Sequence, residues 1–186
     1  MILGIQTAGF DHGVVVKYGS SLVLEKCDGH LAEQLPGMVL RLCQHFGATV
    51  REITSIRVCI GPGGFTSLRS GIAYAQGLAR VLNIPIETTT LFHLHPEKDH
   101  PLVFAQSGHQ GIFAVAHQGT FSSPPQVIDI SGQNYNIIND HPSLNMLNFF
   151  DSNKTDLPLR PLYVRPPDAA PARTPSWLQG VREASI

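Results

Sequence analysis

Short apolar runs alternate with longer amphipathic stretches along the first half of the chain. The runs at residues 1–5, 14–18 and 22–24 are separated by turns rich in Gly, Ser and Asp, a pattern that predicts a three-stranded antiparallel meander. Between residues 31 and 46 the apolar positions recur every three or four residues, which predicts a helix that ends at Gly47.

A strand, a helix and a further strand follow. Residues 56–60 form a β-branched run that stops at a cluster of glycines, helical spacing then continues to Leu82, and residues 84–90 predict another strand. Thr66 or Ser67 is the expected cap of the second helix. The order β-β-β-α-β-α-β predicts a mixed sheet with helices on its faces.

Pro36 lies within the first helical stretch, where it leaves two arrangements open. If the helix starts late, Pro36 falls in its first turn, where the missing N–H costs nothing. If the helix starts early, Pro36 is an interior residue and kinks it at a cost of about 3 kcal/mol, which packing must offset.

The second half of the chain partly repeats this order. Apolar runs at residues 102–106 and 112–116 flank a Gly-rich turn, and residues 127–130 predict a third strand, so the repeat hints at an internal duplication. A short helix is expected at residues 144–150, and the proline-rich tail after Leu157 is expected to be an extended strap.

The length and the polar connector at residues 97–100 divide the chain into two predicted units. Its 186 residues are enough for one or two domains. We assign residues 1–95 to an N-terminal lobe and residues 96–186 to a reduced C-terminal lobe with a proline-rich tail.

The composition of the chain limits the classes of function that it can have. Lys and Arg number 13 against 14 Asp and Glu, a net charge of −1, which argues against a protein that binds nucleic acid on its own. Only 15% of residues are charged, where about 25% is usual, so part of the surface is expected to meet a partner protein. Cys27, Cys43 and Cys59 lack a C-x-x-C spacing and are expected to be free thiols.

No feature of the sequence predicts a membrane protein. Apolar runs fall short of the roughly 20 residues of a membrane span, and the first residues lack the basic start of a signal peptide. We therefore expect a cytoplasmic protein with no membrane partner.

A glycine-rich loop joins the predicted strand at residues 56–60 to the second helix. Gly61, Gly63, Gly64 and Thr66 are candidates to face a phosphate, because glycines before a helix let backbone N–H groups approach an anion. The loop is neither a Walker A loop, which needs a lysine, nor G-x-G-x-x-G. A tight turn that packs the helix on the sheet is the alternative interpretation, and spacing alone favours it.

The second helix carries small residues opposite its apolar positions. Ser70, Ala73 and Gly77 stand where a surface helix normally has Lys and Glu. A glycine there costs up to about 1 kcal/mol relative to alanine. The pattern is typical of a helix that another backbone approaches closely.

Four segments together resemble a known family. The segment GPGGFTSLRSGI at residues 61–72, followed by AQGLA at 75–79, is similar to the GPGSFTGLRIG…AQGLA signature of the TsaB (YeaZ) family. The opening ILGIQTA at residues 2–8 is similar to the family's ILAIDTA. His30 with Leu35-Pro36 is similar to H-x4-L-P, and LYVR at 162–165 is similar to P-x-Y-L-R.

The resemblance implies a fold and a role. The family has the α/β actin-like ATPase (ribonuclease H-like) fold, with two lobes of mixed sheets flanked by helices; the second lobe is expected to be reduced here, because the chain is shorter than typical members. TsaB is a noncatalytic subunit that stabilises TsaD, which transfers a threonylcarbamoyl group to the adenosine next to the anticodon of tRNA. Implied partners are a TsaD homologue, a TsaE-type ATPase, a second copy when the chain is alone, and tRNA only through the complex.

The resemblance also implies which residues meet the partner. The helices at residues 30–46 and 67–82 correspond to the family's interface with TsaD and its homodimer contact. The implied interface residues are His30, Leu35, Pro36, Met38, Arg69, Ser70, Ala73 and Gly77. For Arg69 two interpretations stay open: contact with a phosphate or partner carboxylate, or simple solvation.

Departures from the family pattern argue against catalysis. Gln6 replaces the aspartate of the opening motif, and an amide carries no charge to hold a divalent cation. The family's D-A-R-x-G corresponds to SGHQG at residues 107–111, which lacks the carboxylate and the arginine. We therefore expect no catalytic residue, no cofactor and no nucleotide hydrolysis, and the Gln6 replacement argues against nucleotide binding without excluding it.

A hydrolase is the alternative function. His93, His95 and His100, beside Glu97 and Asp99, could supply metal ligands to a nucleotide- or metal-dependent hydrolase of the same fold. Nothing in the sequence fixes the distance from the first two histidines to the third. A polar connector without a metal is the favoured interpretation.

Overall fold

A computed structural model describes residues 1–8, 12–94, 101–105, 110–117, 120–121, 126–129, 131, 149–150 and 154–163. Its first sheet has five strands in the order β3-β2-β1-β4-β5. The strands are β1 (Ile2–Gln6), β2 (Gly13–Tyr18), β3 (Ser21–Lys26), β4 (Ser55–Cys59) and β5 (Ile86–Thr89). Strands β1 to β3 form the predicted antiparallel meander, and β4 and β5 continue the sheet parallel to β1.

Two long helices cover one face of this sheet. They are α1 (Leu31–His45) and α2 (Phe65–Leu82), which pack against each other and against β1, β2 and β4. A 3-10 turn (Val50–Glu52) and a short helix, α3 (Leu91–Leu94), complete the helical elements that the structure describes. This mixed sheet with flanking helices confirms the predicted α/β fold class.

The helix boundaries resolve two sequence-based alternatives. Because α1 begins at Leu31, Pro36 is an interior residue in its second turn and not a first-turn proline. Helix α2 begins at Phe65 with Gly64 as its N-cap, so the expectation that Thr66 or Ser67 caps it is wrong. The Ser67 hydroxyl instead donates to the Gly64 carbonyl at 3.1 Å.

The opposite face of the sheet is covered by α3 and by a segment far along the chain. Phe149 is fully buried in a cluster with Val15 and Phe92. A Cβ on Gly4 would lie 2.5 Å from Val15 Cγ1 and 2.8 Å from Phe149 Cδ1, so the glycine makes room for this ring.

A second, antiparallel sheet follows the first. Its strands are β6 (Pro101–Ala105), β7 (Gln110–His117), β8 (Thr120–Phe121) and β9 (Gln126–Asp129). Strand β7 pairs with the other three. The predicted strands at residues 102–106, 112–116 and 127–130 are thus confirmed. Most of the helix predicted at 144–150 lies outside the described residues, and residues 149–150 form a turn.

Residues 154–163, here called the C-terminal strap, return to the first sheet. Thr155 pairs with Thr88 at the edge of β5, its N–H donating to the Thr88 carbonyl at 2.9 Å. The Leu162 N–H donates to the Ile60 carbonyl at 2.7 Å. The expected extended strap is therefore confirmed where it is described, and it packs on the first sheet although it follows the second.

Ion pairs attach the beginning of the C-terminal strap to β5. Glu87 on β5 is paired with Lys154 and with Arg57, whose Nη2 lies 3.0 Å from the Glu87 carboxylate. Arg57 Nη1 also donates to the Phe149 carbonyl at 2.9 Å. Within the described residues, no helix is both long and apolar enough to cross a bilayer.

Candidate protein-interaction face

Exposed apolar residues lie on the outer side of α1 and α2. Pro36 and Leu40 are one turn apart on α1, and Ala73, Gly77 and Val81 follow each other at one-turn spacing on α2. Leu40 is 48% exposed and Val81 82% exposed. We call these five residues the helix face. A surface of small and apolar residues on two adjacent helices is suited to contact with another protein.

Gly77 does not pack against any residue that the structure describes outside its own helix. A Cβ at this position would meet nothing within 4 Å among the described residues. Gly71, on the same helix, is different, because a Cβ there would collide with the Thr7 side chain on the sheet. The described fold therefore requires a glycine at position 71 and places no such requirement on position 77.

Two predicted interface residues belong to the core. Leu35 is 1% exposed and Met38 is 0% exposed, and both pack against the sheet with the other buried residues of α1. Their assignment to a partner interface is wrong, because the apolar stripe that contains them faces inward. Ser70 is half-buried, whereas His30 is exposed as the N-cap of α1.

Arg69 is held by the C-terminal strap. Its Nε donates to the Tyr163 hydroxyl at 2.8 Å, and its Cζ lies 5.7 Å from the centre of the Tyr163 ring. The same ring packs on Phe65, with 4.4 Å between centroids. Arg69 is exposed but not simply solvated.

The two helices begin beside a common cavity of about 420 Å³. Neither N-cap, His30 nor Gly64, makes a side-chain capping hydrogen bond. Both residues line the cavity with Thr66, Ser70 and the carboxylate-bearing Glu33.

The candidate phosphate loop divides into two parts. Gly64 and Thr66 line the cavity, but Gly61 and Gly63 are buried. Gly61 has φ +123°, and a Cβ there would lie 2.8 Å from the Leu162 carbonyl oxygen. Gly61 therefore serves a tight turn beneath the C-terminal strap, and a phosphate-facing role for the other three residues stays a prediction.

An amide side chain, Gln6, stands at the carboxyl end of β1. Gln6 is 2% exposed, and its Nε2 donates to the Ala8 carbonyl at 3.1 Å. Gln6 Oε1 and Thr7 Oγ1 have no hydrogen-bond partner in the part of the chain that the structure describes. Buried and uncharged, Gln6 offers no anionic ligand to a metal-bound nucleotide.

The histidine cluster of the hydrolase alternative is only partly described. His93 is 8% exposed in α3, and its Nδ1 lies 2.8 Å from the Thr90 hydroxyl. His95, Glu97, Asp99 and His100 lie outside the described residues. Within the described ranges, no three His, Cys, Asp or Glu side chains come together as a potential metal site.

The cysteines are free thiols, as predicted, and two are buried. Burial raises the pKa of Cys59 to about 12, although a hydrogen bond with the Gly61 backbone opposes the shift. Burial also raises the pKa of Cys43. Neither thiol is suited to act as a nucleophile at neutral pH.

Three residues were not predicted from the sequence as parts of this site: Leu40 and Val81 in the helix face, and Tyr163 beside it. Leu40 and Val81 interrupt the polar side of their helices, and that exception to the period was the signal that could have found them. Tyr163 lies 94 positions after Arg69 along the chain, and no local pattern links the two.

Comparisons with known proteins agree with this fold. Residues 15–141 match the family model described as TsaD, tRNA N6-adenosine threonylcarbamoyltransferase. YeaZ from Pseudomonas aeruginosa superposes with a TM-score of 0.65 at 15% identity, over 87% of this chain and 98% of that one. A protein described as similar to peptidase YEAZ from Pseudomonas aeruginosa superposes with a TM-score of 0.62 at 19% identity, over 72% of this chain and 68% of that one. The chain therefore belongs to the TsaD family and has the actin-like fold of YeaZ, as its signature predicted.

Proposed function

We propose that the chain is a noncatalytic partner subunit in the modification of tRNA. It binds a TsaD homologue through the helix face and stabilises it for threonylcarbamoyl transfer to the adenosine next to the anticodon. The observation that carries this proposal is Gly77, a mid-helix glycine that faces open space on an apolar surface.

The geometry of the helix face supports a protein as the bound group. Small residues let the backbone of a second helix approach α2, and Leu40 and Val81 provide apolar area at the sides. A small molecule is a poorer fit, because ligand pockets are concave and the helix face is the outer side of two helices.

The residue at the carboxyl end of β1 supports a noncatalytic role. At the carboxyl end of β1 a buried amide, Gln6, stands where the family motif has an aspartate. The net charge of −1 supports contact with tRNA through a complex and not by this chain alone. The proposal includes a TsaE-type ATPase as a further partner, a homodimer when the chain is alone, and a cytoplasmic location.

A reconstituted transfer reaction tests this function. The TsaD homologue of the same organism is incubated with threonylcarbamoyl-AMP and tRNA, with or without this chain, and modified adenosine is quantified. We expect transfer to require the chain, and Gly77→Arg to reduce it at least about tenfold, the effect of about 1.4 kcal/mol of lost binding under non-saturating conditions.

Gln76→Arg is the matched control, because it adds the same charge at the neighbouring exposed position outside the helix face. It should retain transfer. Transfer that is unaffected by adding the chain would contradict the proposal. Robust ATP hydrolysis by the chain alone would favour the hydrolase instead.

A further inference from the structure

Tyr163 connects the C-terminal strap to the first turns of α2, beside the helix face. Its hydroxyl accepts from Arg69 Nε at 2.8 Å, and its ring packs on Phe65. The tyrosine is itself fixed, because the adjacent Leu162 N–H donates to the Ile60 carbonyl at 2.7 Å. The arginine is thus attached through the strap to the residue that directly follows β4.

The contact with Tyr163 leaves the two terminal Nη groups of Arg69 available to bind a partner. The guanidinium has five N–H donors, and Tyr163 engages only the one on Nε. Neither Nη group donates a hydrogen bond to a described residue, so the terminal pair of donors can form a two-point contact with a carboxylate. An exposed arginine ordinarily loses up to about 2 kcal/mol of rotamer entropy when a partner orders it. Here the Tyr163 contact restricts the side chain before a partner binds.

The charges around Arg69 favour an acidic group on a protein. Helix α2 contains Arg69 and Arg80 and no acidic residue, so its exposed side is electropositive. Glu33 is among the residues that line the neighbouring cavity, and its negative charge disfavours a phosphate there. Ala73, Gly77 and Val81 of the helix face lie on the same helix as Arg69, which allows a single protein partner to contact both.

We propose that Tyr163 is a positioning residue that holds Arg69 ready to pair with a carboxylate of the partner protein on the helix face. This inference rests on the proposed function and adds to it the charge that the partner presents. The C-terminal strap thereby becomes a determinant of partner affinity without itself contacting the partner.

Calorimetric titration of the full chain with the TsaD homologue of the same organism tests the coupling. Tyr163→Phe removes the hydroxyl and keeps the ring on Phe65, and we expect it to raise Kd about fivefold. Arg69→Lys should raise Kd at least about tenfold, because an ammonium has neither Nε nor the planar fork. Tyr163→Phe in the Arg69→Lys background should add less than about twofold, since nothing remains for the hydroxyl to hold.

Tyr18→Phe is the matched control, because it removes a hydroxyl from a 43% exposed tyrosine on β2 and should leave Kd unchanged. If Gly77→Arg binds as tightly as the unmodified chain, or the unmodified chain does not bind, the proposed function fails and the inference fails with it. If Gly77→Arg weakens binding but Tyr163→Phe does not, the inference alone is overturned. Equal effects of Tyr163→Phe in the unmodified chain and in the Arg69→Lys background would also overturn it, because they would show a general structural role.

Discussion

Two glycines on α2 have different surroundings: the fold requires the first, and the second lies on the surface that we propose for binding. Gly71 lies against Thr7, where a methyl group has no space, whereas Gly77 faces open space. Both have the same low helix propensity, so only their surroundings distinguish them. The sequence placed Gly77 in the small-residue stripe of α2, but no local pattern showed that the fold needs a glycine at position 71.

Gly71→Ala should destabilise the protein. The new methyl group would collide with the Thr7 side chain, and overpacking of this kind costs about 1–3 kcal/mol. Urea unfolding followed by circular dichroism measures the loss. A variant as stable as the unmodified protein would contradict the close approach of α2 to the sheet.

Gly77→Ala should have the opposite effect on the isolated chain. The methyl group enters open space, and alanine is favoured over glycine in a helix by about 0.5–1 kcal/mol. The same unfolding measurement, made at a protein concentration where the chain is monomeric, should therefore show increased stability. A decrease would mean that Gly77 packs within the monomer after all.

At the scale of elements, the period of apolar residues predicted most of the first sheet and its helices. The same period placed Leu35 and Met38 on the buried stripe of α1, yet the motif resemblance assigned them to the interface, because a motif does not specify which side of a helix a residue occupies. What the sequence could not predict are the long-range contacts: Phe149 under the first sheet and the strap on β5. Such contacts depend on tertiary packing that no local period encodes.

Phe149→Ala tests the first of these contacts. The ring is fully buried against Gly4 and Val15, so its removal should cost about 3–5 kcal/mol of stability. Val127→Ala, at a 52% exposed position on β9, is the control and should change stability by less than about 0.5 kcal/mol. Equal effects of the two substitutions would place Phe149 outside the core.

Attachment of the strap should depend on pH through Glu87. Burial opposes ionisation of Glu87, but hydrogen bonds from Lys154 and Arg57 outweigh it and hold the pKa below its ordinary value of 4.5. The pKa of Glu87 is therefore lower in the folded chain than in the unfolded chain. The stabilisation that these contacts give is fully present above pH 4.5 and is lost as the pH falls through the folded-state pKa.

Glu87→Gln should therefore destabilise the protein by about 2 kcal/mol at pH 7, because it removes charge-assisted hydrogen bonds. The difference from the unmodified protein should shrink as unfolding is measured at successively lower pH below 4.5. A difference that stays constant with pH would show that the carboxylate charge is not what holds the strap.

At the scale of the whole molecule, the chain combines an actin-like fold with an apolar helix face and an uncharged residue at the end of β1. The signature at residues 61–79 predicted the family, and two of its glycines, Gly61 and Gly71, are needed at fixed positions by the turn and the helix packing. The partner is a matter of surface chemistry. The resemblance named Pro36, Ala73 and Gly77, and burial then separated them from the core residues Leu35 and Met38 and added the exposed Leu40 and Val81.

Light scattering during size-exclusion chromatography, with the chain mixed with the TsaD homologue of the same organism, tests the central claim most directly. We expect a heterodimer peak that is lost on Gly77→Arg and retained on Gln76→Arg, since only the first substitution places a long charged side chain on the helix face. Failure of the unmodified chain to associate, or an undiminished complex with Gly77→Arg, would contradict the account.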